Sequence, residues 1–420
     1  MKHQELKSIP MNLVKEAQER LQNTVKKSPL MYMENISDEY MSDIYFKRED
    51  LQTVRSYKIR GAYNKISSLT IEERTNRIVC ASAGNHAQGF ALSCSSLGIK
   101  GAIFMPSTTP KQKINQVKFF GKNWVEIHLI GDTYDSSYEA ALVFSKQHQA
   151  IFIHPFDDPK VIAGQATIAL EILESSTKQI DYLILPIGGG GLAAGVSSVF
   201  KKISPSTKVI AVEPKGASSF TYSLEQGSNS SLDSIDKFID GAAVKRMGSI
   251  TYPICKANID QVICVDEGHV CTSLLRVYNE NAIVVEPAGA LSIAALDHLS
   301  DEIKGKQVVC IISGGNNDIL RMEEIKERSL LFEGLKHYFV VNFSQRAGSL
   351  KEFLLHVLGP NDDITYFQYL KKNNRENGSA VLGIELSDRR DFQGLIDRMK
   401  DQKFLEHYLN DQPELFNYLV

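Results

Sequence analysis

Short apolar runs alternate with amphipathic segments from about residue 44 to residue 325. The runs are DIYFKRE, RIVCAS, AIFMP, WVEIHLI, AIFIHP, YLILPI, KVIAVEP, QVICV and QVVCIIS, and the segments between them include YEAALVFSKQHQ and VIAGQATIALEILE. Short runs rich in β-branched residues are typical of buried strands, and apolar positions three or four apart are typical of helices. The alternation predicts an α/β fold with doubly wound, mostly parallel sheets. Ligands of such folds bind in the loops that follow the strands.

The pattern changes after Glu327. HYFVVNF, DITYFQYLKKN, SAVLGIEL and FLEHYL are predicted strands, with a turn at NRENG, and SLKEFLLHVLG and FQGLIDRMKDQ are predicted helices. The order β-α-β-β-α-β is typical of a ferredoxin-like α+β unit. We therefore predict two domains, residues 1–328 and 335–410, with the polar segment MEEIKERSLLFEG as the linker between them.

Composition narrows the class of protein. Of 420 residues, 43% are hydrophobic, and 47 basic side chains face 50 acidic ones. This balance gives no electrostatic reason to expect nucleic acid or an anionic membrane as a partner. The charged N-terminal stretch has no signal-peptide core, and no run approaches the roughly 18 apolar residues of a membrane span. The six cysteines form no CxxC pair, so we expect a cytoplasmic protein with reduced thiols and no zinc site.

A glycine loop lies between the run YLILPI and the segment LAAGVSSVFKKI. It consists of Gly188, Gly189, Gly190 and Gly191. Glycines at a strand-to-helix junction let backbone N–H groups converge on an anion, so the loop predicts phosphate binding. No Lys-Ser/Thr pair follows, which argues against a nucleotide P-loop. A dinucleotide site stays open, because Gly189, Gly191, Ala194 and Glu213 fit that fingerprint.

Two further loops follow predicted strands. The first consists of Ser82, Ala83, Gly84, Asn85 and His86 and begins a predicted helix. Its N–H groups can bind a carboxylate and the Asn85 amide can hold a phenolate-type oxygen, although Ser82 or Asn85 could instead cap the helix. His86 is a candidate base or a structural residue. The other loop, SGGN, presents the hydroxyl of Ser313.

Lys58 lies in the stretch SYKIRGAYN, with no acidic residue after it to form a pair. Lys58 and Arg60 could be solvated positions on a helix face. A nicotinamide cofactor would explain only the glycine loop. Pyridoxal phosphate would use Lys58 and all three loops, because lysine forms an imine with its aldehyde, glycines hold its phosphate, Asn85 meets its ring hydroxyl and Ser313 meets its ring nitrogen.

Four motifs together resemble the fold-type II pyridoxal phosphate enzymes, and among them the biosynthetic threonine dehydratases. These motifs are KREDLQTVRSYKIRGAYNKI, ASAGNHAQG, PIGGGGLAAG and IISGGN. The resemblance spans roughly residues 15–325 and continues into the tail. It implies a small subdomain at about 50–155 inserted in the larger one. It also implies that Lys58 forms the imine and removes the Cα proton, that the glycine loop and Leu192 bind the phosphate, and that residues 82–86 bind the substrate.

The implied activity is that of a lyase, the conversion of L-threonine to 2-oxobutanoate and ammonia, which is the committed step of isoleucine biosynthesis. A neutral Ser313 beside the ring nitrogen favours β-elimination over transamination. Ala83 stands where serine racemases have a proton-donating serine, which disfavours racemisation. Ser219 stands where the cation site of related enzymes has an aspartate near Glu213 and Ala217, so no metal is predicted.

The tail resembles the ACT-like regulatory domain of the same enzymes. Gln345, Arg346 and Gly348 form a short polar loop at a predicted helix N-terminus, suited to the carboxylate of a small amino acid. The resemblance implies inhibition by isoleucine, opposition by valine, and pairing of the single tail unit between subunits of a homotetramer. The alternatives are a catabolic-type threonine or serine dehydratase, a nicotinamide oxidoreductase, and an amino-acid sensor without activity.

Overall fold

The computed structural model describes residues 6–369, 377–412 and 414–416. The chain divides into two compact units, Met1–Ile319 and Leu320–Val420. Among the described residues, no helix is long and apolar enough to cross a membrane.

Two sheets form the first unit. In chain order its strands are β1 (Leu30–Tyr32), β2 (Asp43–Arg48), β3 (Ile78–Ala81), β4 (Gly101–Met105), β5 (Val125–Leu129), β6 (Ile151–Phe152), β7 (Tyr182–Pro186), β8 (Lys208–Pro214), β9 (Gln261–Val265) and β10 (Gln307–Ile312). The larger sheet has the order β1-β2-β10-β7-β8-β9 and the smaller one β5-β4-β3-β6. All neighbouring strands run parallel except β1 and β2. The prediction of mostly parallel sheets is confirmed.

Helices connect these strands. They are α1 (Met11–Leu21), α2 (Glu34–Tyr40), α3 (Lys58–Ser67), α4 (Ile71–Thr75), α5 (Asn85–Leu97), α6 (Lys111–Gly121), α7 (Tyr134–Gln147), α8 (Pro159–Ser175), α9 (Gly191–Ile203), α10 (Ser219–Glu225), α11 (Thr251–Asn258), α12 (Glu267–Asn281), α13 (Pro287–Ala294) and α14 (Leu296–Leu299). Because parallel strands are covered on both faces, their sequences are almost continuously apolar. Every residue of β7 and β10 is buried accordingly.

The helices of the first unit differ in how they begin. Asp158 and Asp266 cap α8 and α12 with their side chains, and Thr133 caps α7. In α5 and α9 the residue before the helix is a glycine, Gly84 and Gly190 respectively, so neither helix has a side-chain cap. The first N–H groups of a helix have no partner within it, so these two helices keep donors available for a ligand.

The second unit is an antiparallel sheet with helices. It contains α15 (Met322–Phe332), β11 (Lys336–Ser344), α16 (Ser349–His356), β12 (Asp363–Tyr369), β13 (Asn377–Glu385), α17 (Phe392–Asp401) and β14 (Leu405–Tyr408). The strand order is β12-β13-β11-β14. From β11 onward the predicted order β-α-β-β-α-β is confirmed. The predicted turn NRENG lies largely outside the described residues.

The segment predicted as the linker makes contacts with the second unit. The structure divides the chain after Ile319, ahead of the predicted boundary, and the segment MEEIKERSLLFEG forms α15 of the second unit. Ile325 on this helix is fully buried, and Glu327 accepts a hydrogen bond from Tyr338 and pairs with Lys336 (3.2 Å). The polar composition of this segment does not predict these contacts, because the partners lie on a later strand, β11.

Candidate active site

Lys58 is the first residue of α3, and backbone contacts fix where that helix begins. Ser56 forms an isolated antiparallel bridge with Gly314. The Tyr57 N–H donates to the Ser313 carbonyl (3.1 Å). Because Ser313 and Gly314 follow β10, the start of α3 is held at the carboxyl end of the larger sheet, where ligands of parallel α/β folds bind.

The Lys58 amine lies in a cleft at this end of the sheet. Nζ donates to the carbonyl of Pro155 (3.1 Å). Burial lowers the pKa of Lys58 to about 8, because an ammonium loses solvation there, and the Glu286 carboxylate opposes this shift. About a tenth of the amine is therefore neutral at pH 7, far more than for an ordinary lysine, and only the neutral form is a nucleophile or proton acceptor.

The glycine loop lies across the same cleft, between β7 and α9. The N–H groups of Gly188, Gly189, Gly190 and Gly191 have no acceptor among the described residues. A Cβ atom at position 189 would lie 2.4 Å from the Phe156 ring, and Gly190 has a φ of +89°. Only glycine fits these two positions without strain. The loop is a cradle of free donors at a helix N-terminus, suited to a phosphate group.

Asn85 begins α5 and faces the cleft. Its Nδ2 donates to Glu286 Oε1 (2.6 Å), and its Oδ1 accepts from Asn316 Nδ2 (2.6 Å). Neither Asn85 nor Ser82 caps the helix, since Ser82 Oγ accepts from the Gly84 N–H (3.2 Å) instead. The backbone N–H groups of residues 85–87 have no acceptor among the described residues, so this loop can receive a carboxylate.

His86 is unsuited to be a catalytic base. Its imidazole is buried, and Nε2 lies 3.0 Å from the carbonyl of Ile153, so the Nε2–H donates there. Burial, reinforced by the nearby charge of Lys58, lowers the pKa of His86 to about 3. A ring that holds a proton this weakly stays neutral, which favours the structural interpretation of this residue.

Glu286 is a cleft residue that sequence reasoning missed. It ends the apolar run AIVV ahead of α13 and is 6% exposed. Burial, together with the charge of Asp240, raises the pKa of its carboxyl to about 7. A charged residue inside an apolar run was the available signal, since such residues are rarely buried without a purpose.

The structure brings the predicted cofactor residues into one cleft. Its lining includes Lys58, Asn85, Gly188, Gly189, Gly190, Gly191, Leu192 and Ser313, together with Tyr57, Phe156 and Glu286. Ala83 and Gly84 come directly before Asn85 in the chain, at the start of α5. Each of these groups matches one part of pyridoxal phosphate. The amine matches the aldehyde, the free N–H groups match the phosphate, the amide matches the ring hydroxyl, and the neutral hydroxyl matches the ring nitrogen. The residues present therefore fit this cofactor.

Glu213 is not part of the cleft lining, and its carboxylate binds the start of α10 instead. Its carboxylate is fully buried and accepts hydrogen bonds from the Phe220 N–H (2.7 Å) and from the N–H and hydroxyl of Thr221 (both 2.8 Å). Burial raises its pKa to about 7, against the effect of these donors. Because both oxygens hold the start of α10, Glu213 is not positioned to bind a ribose, as the dinucleotide interpretation requires.

The residues near Glu213 and Ser219 form no metal site in the described part of the chain. Among the described residues, no group of three or more His, Cys, Asp or Glu side chains is placed to hold a metal ion. The hydroxyl of Ser219 is buried, and no group in the described part of the chain bonds to it.

The protein families that this chain matches agree with the cofactor that the cleft fits. Residues 21–314 match the family described as pyridoxal-phosphate dependent enzyme, and residues 327–419 match the C-terminal regulatory domain of threonine dehydratase. The chain is 54% identical to the L-threonine dehydratase biosynthetic IlvA of Bacillus subtilis over 98% of both chains. It is 51% identical to the protein of that name in Staphylococcus aureus over 97% of both chains.

Solved structures show the same relationship for the fold. The processed form of threonine deaminase isoform 2 from Solanum lycopersicum superposes with a TM-score of 0.72 at 39% identity, covering 76% of this chain and 93% of that one. Maize serine racemase superposes with a TM-score of 0.70 at 33% identity, covering 77% and 98%. Since both an ammonia-lyase and a racemase share the fold, the reaction must be argued from the site.

Proposed function

Because this chain belongs to the biosynthetic threonine dehydratases of the pyridoxal-phosphate-dependent enzyme family, we propose that it converts L-threonine to 2-oxobutanoate and ammonia for isoleucine biosynthesis. One observation carries the proposal. The Lys58 amine and the free N–H groups of the glycine loop open onto one cleft. We place the enzyme in the cytoplasm, a location supported by its free cysteines.

Three sets of groups would hold the cofactor. The N–H groups of residues 188–191 and the dipole of α9 would bind the phosphate. Asn85 would meet the ring hydroxyl, and the Ser313 hydroxyl would meet the ring nitrogen. When bound, pyridoxal phosphate supplies an electron-withdrawing ring that acidifies the Cα hydrogen of an attached amino acid. Ser313 is a neutral partner that does not hold the ring nitrogen protonated, which suits elimination better than transamination.

Lys58 has two roles in this proposal. Nζ would anchor the cofactor through its aldehyde and would also be the group that accepts the proton from the substrate Cα. Its lowered pKa makes the neutral amine available. The loop of residues 82–86 holds the substrate carboxylate on its N–H groups. Ala83 has no proton to deliver to Cα, which favours ammonia release over the racemisation of the structural relatives.

Two measurements on the purified protein test this function. Added pyridoxal phosphate should produce a visible absorption band that borohydride removes, with the label on Lys58. Ammonia and a 2-oxo acid should then form from L-threonine faster than from L-serine, with no D-allo-threonine, the product of inversion at Cα. A protein that stays colourless and binds NADH instead, or that releases D-allo-threonine without ammonia, would overturn the proposal.

We also propose that the second unit regulates the first. The family match of residues 327–419 supports a regulatory role. The unit contains a loop in which Gly348, with a φ of +91°, precedes α16, and Arg346 pairs with Glu352 (2.5 Å). An effector carboxylate would compete with Glu352 for this guanidinium. We infer that isoleucine inhibits, that valine opposes it, and that second units pair between subunits of a homotetramer.

Regulation is tested on the full-length enzyme. Arg346→Ala should raise the isoleucine concentration that halves activity by about five- to 150-fold, the range of ordinary allosteric coupling, without changing turnover in the absence of isoleucine. Arg390→Ala is the matched control, because Arg390 is also an exposed arginine of the same unit and pairs with a neighbouring carboxylate, that of Asp388. Unchanged inhibition in Arg346→Ala would show that the effector binds elsewhere.

A further inference from the structure

Three side chains form a hydrogen-bonded chain that ends at the cofactor cleft. Asn316 Nδ2 donates to the carbonyl of Val54 (2.8 Å) and to Asn85 Oδ1 (2.6 Å). Asn85 Nδ2 then donates to Glu286 Oε1 (2.6 Å). The chain therefore joins the loop after β10 to the start of α5 and to the residue that precedes α13.

The hydrogen bonds that join these three side chains can run in only one direction. A backbone carbonyl can only accept, so the Asn316 nitrogen must face Val54, and its second hydrogen reaches Asn85. The oxygen of Asn85 must then face Asn316, which leaves its nitrogen facing Glu286. The direction of the Asn85 amide is thus set by a backbone group on another segment of the chain.

The accepting end of the chain is fixed as well. The Glu286 carboxylate also accepts from the backbone N–H of Asn316. A Cβ atom at Gly314 would lie 2.4 Å from Glu286 Oε1, so the carboxylate packs directly against the backbone of the loop after β10. Its mobility is limited on both sides, and its oxygen stays available to Asn85.

Asn85 Nδ2 has a second hydrogen, which finds no acceptor among the described residues although the side chain lines the cleft. We propose that Asn316 and Glu286 are positioning residues that turn the Asn85 nitrogen, rather than its oxygen, toward the ring oxygen of pyridoxal phosphate. This inference rests on the proposed function. A reversed amide would place its oxygen against a ring oxygen that also carries lone pairs, and would exchange an attraction for a repulsion.

The test is a titration of the apoprotein with pyridoxal phosphate, followed by the absorbance of the bound cofactor. Asn316→Ala should raise the dissociation constant about tenfold, the value of one well-oriented hydrogen bond, and should move the absorption maximum, because the ring oxygen loses its donor. Asn258→Ala is the matched control. Its Nδ2 likewise donates two hydrogen bonds, here to the backbone carbonyls of Lys7 (2.7 Å) and Ile254 (2.8 Å), and its loss should leave both readouts unchanged.

A double-mutant cycle separates positioning from general loosening of the fold. In an Asn85→Ala background, Asn316→Ala should have no further effect on the dissociation constant, because the amide through which it acts is gone. Equal effects in both backgrounds, or equal effects of Asn316→Ala and Asn258→Ala, would overturn the inference. Glu286→Ala provides a second entry to the same cycle if Asn316→Ala does not fold. A wild-type protein that binds no pyridoxal phosphate would instead overturn the proposed function itself.

Discussion

Lys58 and Arg60 lie two residues apart on α3, yet their surroundings differ in kind. Arg60 is 1% exposed and donates to the carboxylates of both Glu49 and Glu171. Lys58 donates to a single backbone carbonyl. Arg60 is fully paired, whereas Lys58 is left with little compensation for its burial.

The two pairings have opposite effects on charge. Burial opposes ionisation of Glu49, but Arg60 and Lys47 outweigh it, and the pKa of that carboxyl is lowered. Lys47 also pairs with Glu171 (2.6 Å), so two cations and two carboxylates form a closed cluster. The pairing favours the charged forms of Arg60 and Glu49 and holds α3 in place, whereas incomplete pairing makes an amine reactive. The difference separates a structural charge from a functional one on the same helix.

The largest effect is expected at Lys58. Lys58→Ala should reduce turnover on the order of a thousandfold or more, because cofactor attachment and proton removal are lost together. It should not reduce the free energy of unfolding of the apoprotein, since burying the ammonium is unfavourable. Steady-state ammonia release and urea unfolding, followed by the fluorescence of the single tryptophan Trp124, measure the two effects.

Lys65→Ala is the control for this variant. Lys65 lies on the same helix and pairs with Asp158 (2.7 Å), away from the cleft lining, so its loss should leave turnover close to that of the wild type. If Lys58→Ala kept more than about a tenth of wild-type turnover, the proton acceptor would have to be another group.

The second effect concerns stability. Arg60→Met should lower the free energy of unfolding of the first unit by about 3–5 kcal/mol, because Glu49 and Glu171 are left buried without their cation. Urea unfolding followed by Trp124 fluorescence measures it. Arg77→Met removes an exposed arginine that pairs with Glu126 (3.3 Å) and should change the unfolding midpoint little. Equal effects of the two variants would show that the buried cluster contributes no more to the free energy of unfolding than an exposed ion pair does.

A smaller effect is the pH dependence of cofactor attachment. Only the neutral amine of Lys58 attacks an aldehyde, so the attachment rate should rise about tenfold per pH unit below pH 8 and level off above it. The Glu286 carboxylate raises the pKa of Lys58, so Glu286→Gln should move this inflection to lower pH. Stopped-flow absorbance of apoprotein mixed with pyridoxal phosphate measures the rate, and an inflection at the ordinary lysine pKa would contradict the role of burial.

The smallest effect is expected at the surface. Lys27 pairs with Glu174 (2.6 Å), and both side chains are more than half exposed. Water and salt screen such a pair, so Lys27→Ala should leave the urea midpoint unchanged within error. A clear loss of stability would mean that exposed pairs matter here as much as the buried cluster, and the contrast between them would disappear.

Local patterns in the sequence predicted the mostly parallel strands of the first unit and the β-α-β-β-α-β order of the second, and they led to the proposals for the glycine loop and Lys58. The strands are short apolar runs and the glycines lie consecutively, so the information is carried by neighbouring residues. The solvated interpretation of Arg60 was wrong, because its carboxylate partners Glu49 and Glu171 lie on other segments of the chain. In the segment predicted as a linker, the contacts of Glu327 are likewise made with another element, β11.

Tertiary structure alone decided how the cleft is organised. Glu286 reaches Asn85 across 201 positions of the chain, and Asn316 reaches it across 231. The direction of Glu213 toward α10 and the uncapped start of α5 also follow from packing. A sequence shows which side chains can donate, accept or ionise. Their burial and their distant partners fix which of them do so, because pairing and desolvation are properties of the folded chain.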